Sequence, residues 1–177
     1  MKKTISIFAL LLSISMFSQT ENSSLERKND IMLNPIFLVL GVGNISYERI
    51  LNENSGIGIN TLFIIDNYVI DSDSKVFQVA PYYNYYFGKK TASGFFIGAF
   101  ASISSSDVET EHFDTQSGYY YTTNRETAFG LGFKFGGKWA LKNHLLFEAS
   151  TGLGRNFTSN IDNKIISTGM LGIGYRF

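Results

Sequence analysis

Residues 128–141 decide the fold. The odd positions read Phe129, Leu131, Phe133, Phe135, Gly137, Trp139 and Leu141. The even positions read Ala128, Gly130, Gly132, Lys134, Gly136, Lys138 and Ala140. A period of two is the signature of a strand, whose successive side chains point to opposite faces of the sheet. One face is therefore large and apolar, the other small or charged. A soluble barrel or sandwich would bury the large face and leave Lys134 and Lys138 outside among bare glycines and alanines. A membrane barrel inverts this, with the apolar face on lipid and the small, polar face within.

The same alternation runs outward in both directions. Leu145, Phe147, Ala149, Thr151 and Leu153 oppose Leu146, Glu148, Ser150, Gly152 and Gly154. Leu171, Ile173, Tyr175 and Phe177 oppose Met170, Gly172, Gly174 and Arg176. Phe95, Ile97, Ala99, Ala101 and Ile103 oppose Phe96, Gly98, Phe100 and Ser102, and Phe77 to Phe87 alternate likewise. Pro81 cannot donate to a ladder, so a bulge or a local break in pairing is expected there. Strands are expected near 31–40, 44–51, 56–65, 75–87, 94–105, 126–141, 144–157 and 164–177. The first is apolar on both faces and cannot be oriented. Tight connections at Asn52–Ser55, Gly88–Ser93 and Lys142–Asn143 alternate with longer ones at Asp66–Ser74, Ser106–Arg125 and Thr158–Asn163. The connection around Gly41–Gly43 is short although it falls on the long-loop side. Short turns at one end and long loops at the other, with an even strand count, are expected of an all-β, eight-stranded, antiparallel up-and-down transmembrane β-barrel with both termini on the periplasmic side.

The N-terminus reads as an address. Lys2 and Lys3 precede an apolar run from Ile5 to Leu12 that continues through Met16 and Phe17 to Ser18 and Gln19. Residues 1–19 are expected to be a secretory signal peptide, since the run is shorter than a membrane helix and is broken by Ser13 and Ser15. Residues 20–30 are expected to be a flexible lead-in, and residues 31–177 the barrel. Without Lys2 and Lys3 the chain carries 13 basic against 15 acidic side chains, a net charge of −2. That balance leaves no electrostatic footprint for nucleic acid. With no cysteine and two histidines among its 177 residues, the chain has no disulfides, no thiolate metal site, no catalytic thiol and no His-rich metal cluster.

The closing residues Gly172-Ile173-Gly174-Tyr175-Arg176-Phe177 carry a resemblance. The chain resembles the small eight-stranded outer-membrane proteins of Gram-negative bacteria, of the OmpA-transmembrane and OmpX kind. The Phe, Tyr, Asn and Ile content and the Ser18-Gln19 signal ending resemble Bacteroidota proteins. In that barrel group the last strand ends in Phe after alternate hydrophobic residues, and the barrel-assembly machinery reads this ending. Leu171, Ile173, Tyr175 and Phe177 match it. The resemblance implies residence in the outer membrane after secretion across the inner membrane. It also implies contact with outer-membrane lipid and lipopolysaccharide and a monomeric state. No peptidoglycan-binding domain is expected after Phe177.

Eight strands close a barrel whose lumen side chains can fill, so no open pore is expected. The inward set includes Glu48, Lys134, Lys138, Glu148 and Arg176. Glu48, Lys138, Glu148 and Arg176 should lie at similar height near the periplasmic end and pair, because an unpartnered buried charge is costly. Tyr85, Phe87 and Trp139, with Tyr175, lie near strand ends and suit an aromatic girdle at the membrane interface.

Enzymatic readings are weaker. A hydrolase needs a nucleophile, a base and an orienting acid in mutual reach. Ser104, Ser105, Ser106, His112 and Asp114 supply the types, but on a loop with no strained elbow. The His-x-Ser arrangement of outer-membrane lipid A deacylases is absent, since Phe113-Asp114 follow His112 and Leu145-Leu146 follow His144. Asp66, Asp71 and Asp73 cluster in one loop, and Asp71-Ser72-Asp73-Ser74 begins like a calcium loop, but the glycine and the bidentate glutamate that such a loop needs do not follow. No metal, cofactor or catalytic activity is expected. The most individual stretch is the loop Ser106–Arg125, whose Phe113, Tyr119, Tyr120 and Tyr121 are candidate anchors for an extracellular partner of unknown identity, or else continue the strands as an extended hairpin. The sequence therefore reads as a barrel with a structural or surface-interaction role. A lipid A acyl hydrolase or transferase is the first alternative, and a soluble periplasmic lipocalin-like barrel binding a hydrophobic ligand the second.

Overall fold

A computed structural model describes residues 27–65, 75–114, 118–141, 144–158 and 164–177. Eight antiparallel strands close into a barrel in which each pairs with its sequence neighbours and the last returns to the first. The strands are β1 (Asn29–Leu33), β2 (Val42–Asn52), β3 (Ser55–Ile64), β4 (Lys75–Tyr86), β5 (Gly94–Asp114), β6 (Gly118–Leu141), β7 (Leu145–Asn156) and β8 (Ile165–Arg176). Closure gives strand N–H and C=O groups partners within the sheet, the condition for crossing hydrocarbon.

Parity organises the whole molecule. Every strand turns its even-numbered residues to the lumen, from Asp30 and Met32 on β1 to Met170 and Arg176 on β8. The odd-numbered residues form the outer wall. Phe95, Phe133, Phe135 and Leu153 are each 60–72% exposed, while Tyr86, Lys138 and Leu146 are wholly buried. On β6 the apolar wall runs from Phe129 to Leu141. Twelve steps of about 3.3 Å on a strand tilted by about 40° rise about 30 Å, the thickness of a bilayer core. Among the described residues no helix is long and apolar enough to cross a membrane.

The first strand differs from expectation. Strand 31–40 is two elements: β1 begins earlier, at Asn29, and ends at Leu33, and a short helix α1 (Pro35–Val39) follows. The switch is local chemistry. Asn34 caps the helix, its Oδ1 accepting the Phe37 N–H at 3.2 Å, and Pro35 takes the first helical position. Asn29 and Asp30, expected in the flexible lead-in, pair with Arg49 and Glu48 of β2. The expected loop Ser106–Arg125 is an extended hairpin: β5 and β6 stay paired from Ser106↔Glu126 to Asp114↔Gly118. The paired strands thus continue for about 30 Å past the apolar wall. At Pro81 the ladder from β4 to β5 skips Ala80 and Pro81 with its register unchanged, the expected break in pairing.

Candidate functional site

Among the described residues six charged side chains are buried in the lumen, three acids and three bases: Asp30, Glu48, Glu148, Lys134, Lys138 and Arg176. Asp30 is the hub. Its Oδ1 accepts Nε of Arg176 at 2.7 Å, and its Oδ2 accepts Nη2 of Arg176 at 2.9 Å and Nζ of Lys138 at 3.0 Å. Lys138 also donates to Glu48 Oε1 at 2.8 Å. Tyr86 donates its hydroxyl to Glu48 at 2.7 Å, and Asn84 donates to the same carboxylate at 3.0 Å. Each charge thus meets an opposite charge, and Glu48 takes neutral donors as well, as a buried ionic network requires.

A second pair lies nearer the barrel centre. Lys134 Nζ is 3.4 Å from Glu148 Oε1 and stands over the rings of Tyr82 and Phe96, at 4.1 Å and 5.1 Å from their centroids. Ser150 donates to Glu148 at 2.7 Å. Tyr82 shares a hydrogen bond with Ser46 at 2.8 Å. The tyrosines fit because glycines face them: a Cβ on Gly58 would stand 2.5 Å from the Tyr82 hydroxyl, and one on Gly56 would collide with the Glu48 carboxylate.

The turn between β4 and β5 closes the barrel end beneath the network. Arg176 donates to the carbonyls of Thr91 and Ala92 at 2.8 Å and 3.1 Å. The Ala92 N–H bonds the Glu53 carbonyl at 2.7 Å, and Ser93 donates to the Lys138 carbonyl at 3.1 Å. Ala92, buried with Ile50, Tyr86 and Phe96, adopts a left-handed φ of 42°, which lets this seven-residue connection fold inward. Aromatic filling below and ionic bridging above leave this end shut.

The expected network is thus divided. Glu48, Lys138 and Arg176 come together through Asp30, a residue of the expected lead-in, whereas Glu148 pairs with Lys134. The signal for Asp30 was parity: it shares the even register of every other lumen residue once the strand is begun two residues earlier. Tyr85, Phe87 and Trp139 stand outward at the short-turn rim, Tyr85 edge-on to Phe87 at 5.3 Å and Trp139 edge-on to Phe95 at 6.3 Å. Leu171, Ile173, Tyr175 and Phe177 face outward on and just past β8, with Tyr175 stacked on His144. Phe113, Tyr119, Tyr120 and Tyr121 belong to the paired hairpin and not to a loop, and the Tyr119 ring is 68% exposed. Asp66, Asp71 and Asp73 lie outside the described residues. Ser104 is buried in the lumen. Among the described residues no cluster of His, Asp and Glu is arranged to hold a metal.

The fold is similar to that of the N-terminal β-barrel domain of OprF from Pseudomonas aeruginosa, with 14% identity, a TM-score of 0.50, and coverage of 85% of this chain and 98% of that one. The attachment invasion locus protein Ail of Yersinia pestis aligns at 15% identity and a TM-score of 0.40, over 86% of this chain and 100% of that one. No curated protein matches the sequence. One family profile does, along nearly the whole chain from residue 6 to residue 169: the chain belongs to the family described as "Protein of unknown function (DUF3575)".

Proposed function

We propose that the protein is an integral outer-membrane β-barrel that serves a structural or surface-interaction role, presenting the β5–β6 hairpin outside the cell, and that it catalyses no reaction. The observation that carries this reading is the inversion of polarity across a closed sheet. Six charged side chains are buried inside, while Phe, Leu, Ile and Trp cover the outer wall. In water that wall would be an apolar surface far beyond what a soluble monomer tolerates, which argues against the lipocalin-like alternative. Hydrocarbon is the environment it suits, so outer-membrane lipid and lipopolysaccharide are its proposed surroundings. Secretion by a signal peptide precedes insertion in this reading. The outward residues Leu171, Ile173, Tyr175 and Phe177 are then the proposed contact with the barrel-assembly machinery. A lumen filled by ion pairs and tyrosines supports a closed monomer, not a pore.

Trypsin treatment of intact cells, with cut sites mapped by mass spectrometry, tests placement and orientation together. Arg125 on the hairpin and Lys164 before β8 are exposed and should be cut from outside. Lys89 and Lys90, exposed in the opposite turn, should be spared until the cells are opened. Cutting confined to Lys89 and Lys90 would reverse the orientation. Full protection until the outer membrane is broken would remove the protein from the cell surface.

A further inference from the structure

The seam between β8 and β1 is incomplete. The two strands pair only from Asp30↔Arg176 to Leu33↔Ile173. Asn29 and Phe177 exchange both backbone hydrogen bonds, at 3.0 Å and 2.8 Å. In an antiparallel ladder such bonded pairs recur every second residue, so the next positions in this register are 31/175, 33/173 and 35/171. Position 35 is Pro35, which has no N–H to donate, and there the chain leaves the sheet as α1. Ser167, Gly169 and Leu171 of β8 consequently turn edge-facing backbone groups toward a stretch of wall where, among the described residues, no strand stands opposite.

A cavity of about 500 Å³ opens at this gap. Val42, Leu62, Ile64, Gln78 and Thr168 line it from the lumen side, and Thr151, Ser167 and Gly169 from the outer side of the sheet. Phe37 and Leu40 of the α1 segment complete it. Residues of both parities bound this space. None of its ten lining residues is charged, and the volume is that of a small-molecule site. Beside it, Pro35, Ile36, Val39 and Leu40 form an apolar groove on the outer surface, where Val39 is 84% exposed. The cavity and the groove meet at Leu40, which lines both. The neighbours of its outer rim in the ladder are Leu153 beside Ser167, then Phe133.

We propose that this gap is a lateral entrance through which one acyl chain of a membrane lipid enters the upper lumen, a reading that rests on the membrane placement proposed above. The chemistry is matched at both ends. The chain's methylenes meet Phe37, Leu40, Val42, Leu62 and Ile64. Its ester carbonyl accepts from the amide edge of Ser167 and Gly169, groups that hydrocarbon alone would leave unbonded. The charged floor formed by Asp30, Glu48, Lys138 and Arg176 lies at the other end of the barrel and bounds how deep the chain goes.

The test uses the full chain reconstituted in phosphatidylcholine vesicles containing a phosphatidylcholine whose acyl chain bears a diazirine. After irradiation, adducts are mapped by mass spectrometry. The expected result is labelling of Val42, Leu62, Ile64 or Gln78, all lumen-side, together with outward Phe133, Phe135 and Leu153. Leu62→Trp, which fills the cavity from inside, should abolish lumen labelling while outward labelling persists, the persistence showing that this variant is inserted. Outward labelling alone in the wild-type protein would overturn the entrance, meaning that the chain closes its own gap. Absence of labelling at both sets would overturn the membrane placement itself. Lumen labelling unchanged in Leu62→Trp would also refute the cavity as the occupied space.

Discussion

Asp30→Asn isolates the energetics of the lumen floor. The substitution keeps the size and one acceptor oxygen of a wholly buried side chain but removes its charge. In the wild-type protein that carboxylate takes three charged hydrogen bonds, two from Arg176 and one from Lys138. Neither cation is left alone: Lys138 keeps Glu48 at 2.8 Å, and Arg176 keeps the carbonyls of Thr91 and Ala92. The floor would nonetheless hold two cations against the single carboxylate of Glu48. Breaking a buried pair from one side costs about 3–5 kcal/mol. The retained contacts place the expected loss at the lower end, about 3 kcal/mol, which is roughly a hundredfold in the folding equilibrium. Urea titration of the vesicle-bound protein measures it, with Trp139 fluorescence as the probe. The companion Asp30→Asn/Lys138→Met removes the excess cation as well. It should be more stable than Asp30→Asn alone, a coupling that two independent defects would not produce. A single variant within about 0.5 kcal/mol of wild type, the range of an ordinary surface change, would refute the claim that this network is dry and mutually dependent.

Three further outcomes follow from the same geometry. Trp139 stands outward at the short-turn rim, so lipids brominated near the headgroup should quench it more strongly than lipids brominated at the chain end; equal quenching by both would place the rim elsewhere. Gly58→Val would force a side chain into the Tyr82 ring, whose carbon Cζ lies 2.5 Å from the new Cβ, and should destabilise by about 1–3 kcal/mol, read as a lower urea midpoint; no change would mean that Tyr82 has room to move. In planar bilayers the wild-type protein should give no steady conductance steps, because tyrosines and ion pairs fill the short-turn end of the lumen; reproducible steps would show a water path past Asp30 and Arg176.

The strand pattern was legible because one rule, even inward and odd outward, holds from Asp30 to Arg176 and every turn preserves it. Five of the eight strands fell within a few residues of their expected positions for this reason, and β5 and β6 matched them at their short-turn ends. The eighth failed where a different physics took over. Residues 31–40 are apolar on both faces, so periodicity was silent, and the deciding signal was the short-range grammar of Asn34-Pro35, a cap followed by a residue that cannot serve a ladder. Beyond Ser106 the pattern left loop and extended hairpin both open, for a related reason. Outside the membrane neither face of a paired ribbon must be apolar, and a polar strand therefore has the composition of a loop.

The partial reading of the charged floor has a deeper cause. Alternation says which residues enter the lumen but not which of them meet, since that depends on strand stagger around the closed sheet. Glu48 and Glu148 look equivalent in sequence, each an acid near the short-turn end of its strand. Closure sends one to Lys138 and the other to Lys134. Asp30 and Arg176 meet only because the shortest strand pairs with the last, at register 30/176. Pro35 then ends that seam a few residues later. The ion pair that locks the barrel at its floor and the gap that opens its wall above are therefore two consequences of one short strand. In that register Pro35→Val would add a single bonded pair, 35/171, and leave Gly169 and Ser167, whose partners would be positions 37 and 39, open to the lateral cavity, so diazirine labelling of Val42 and Leu62 should persist in this variant.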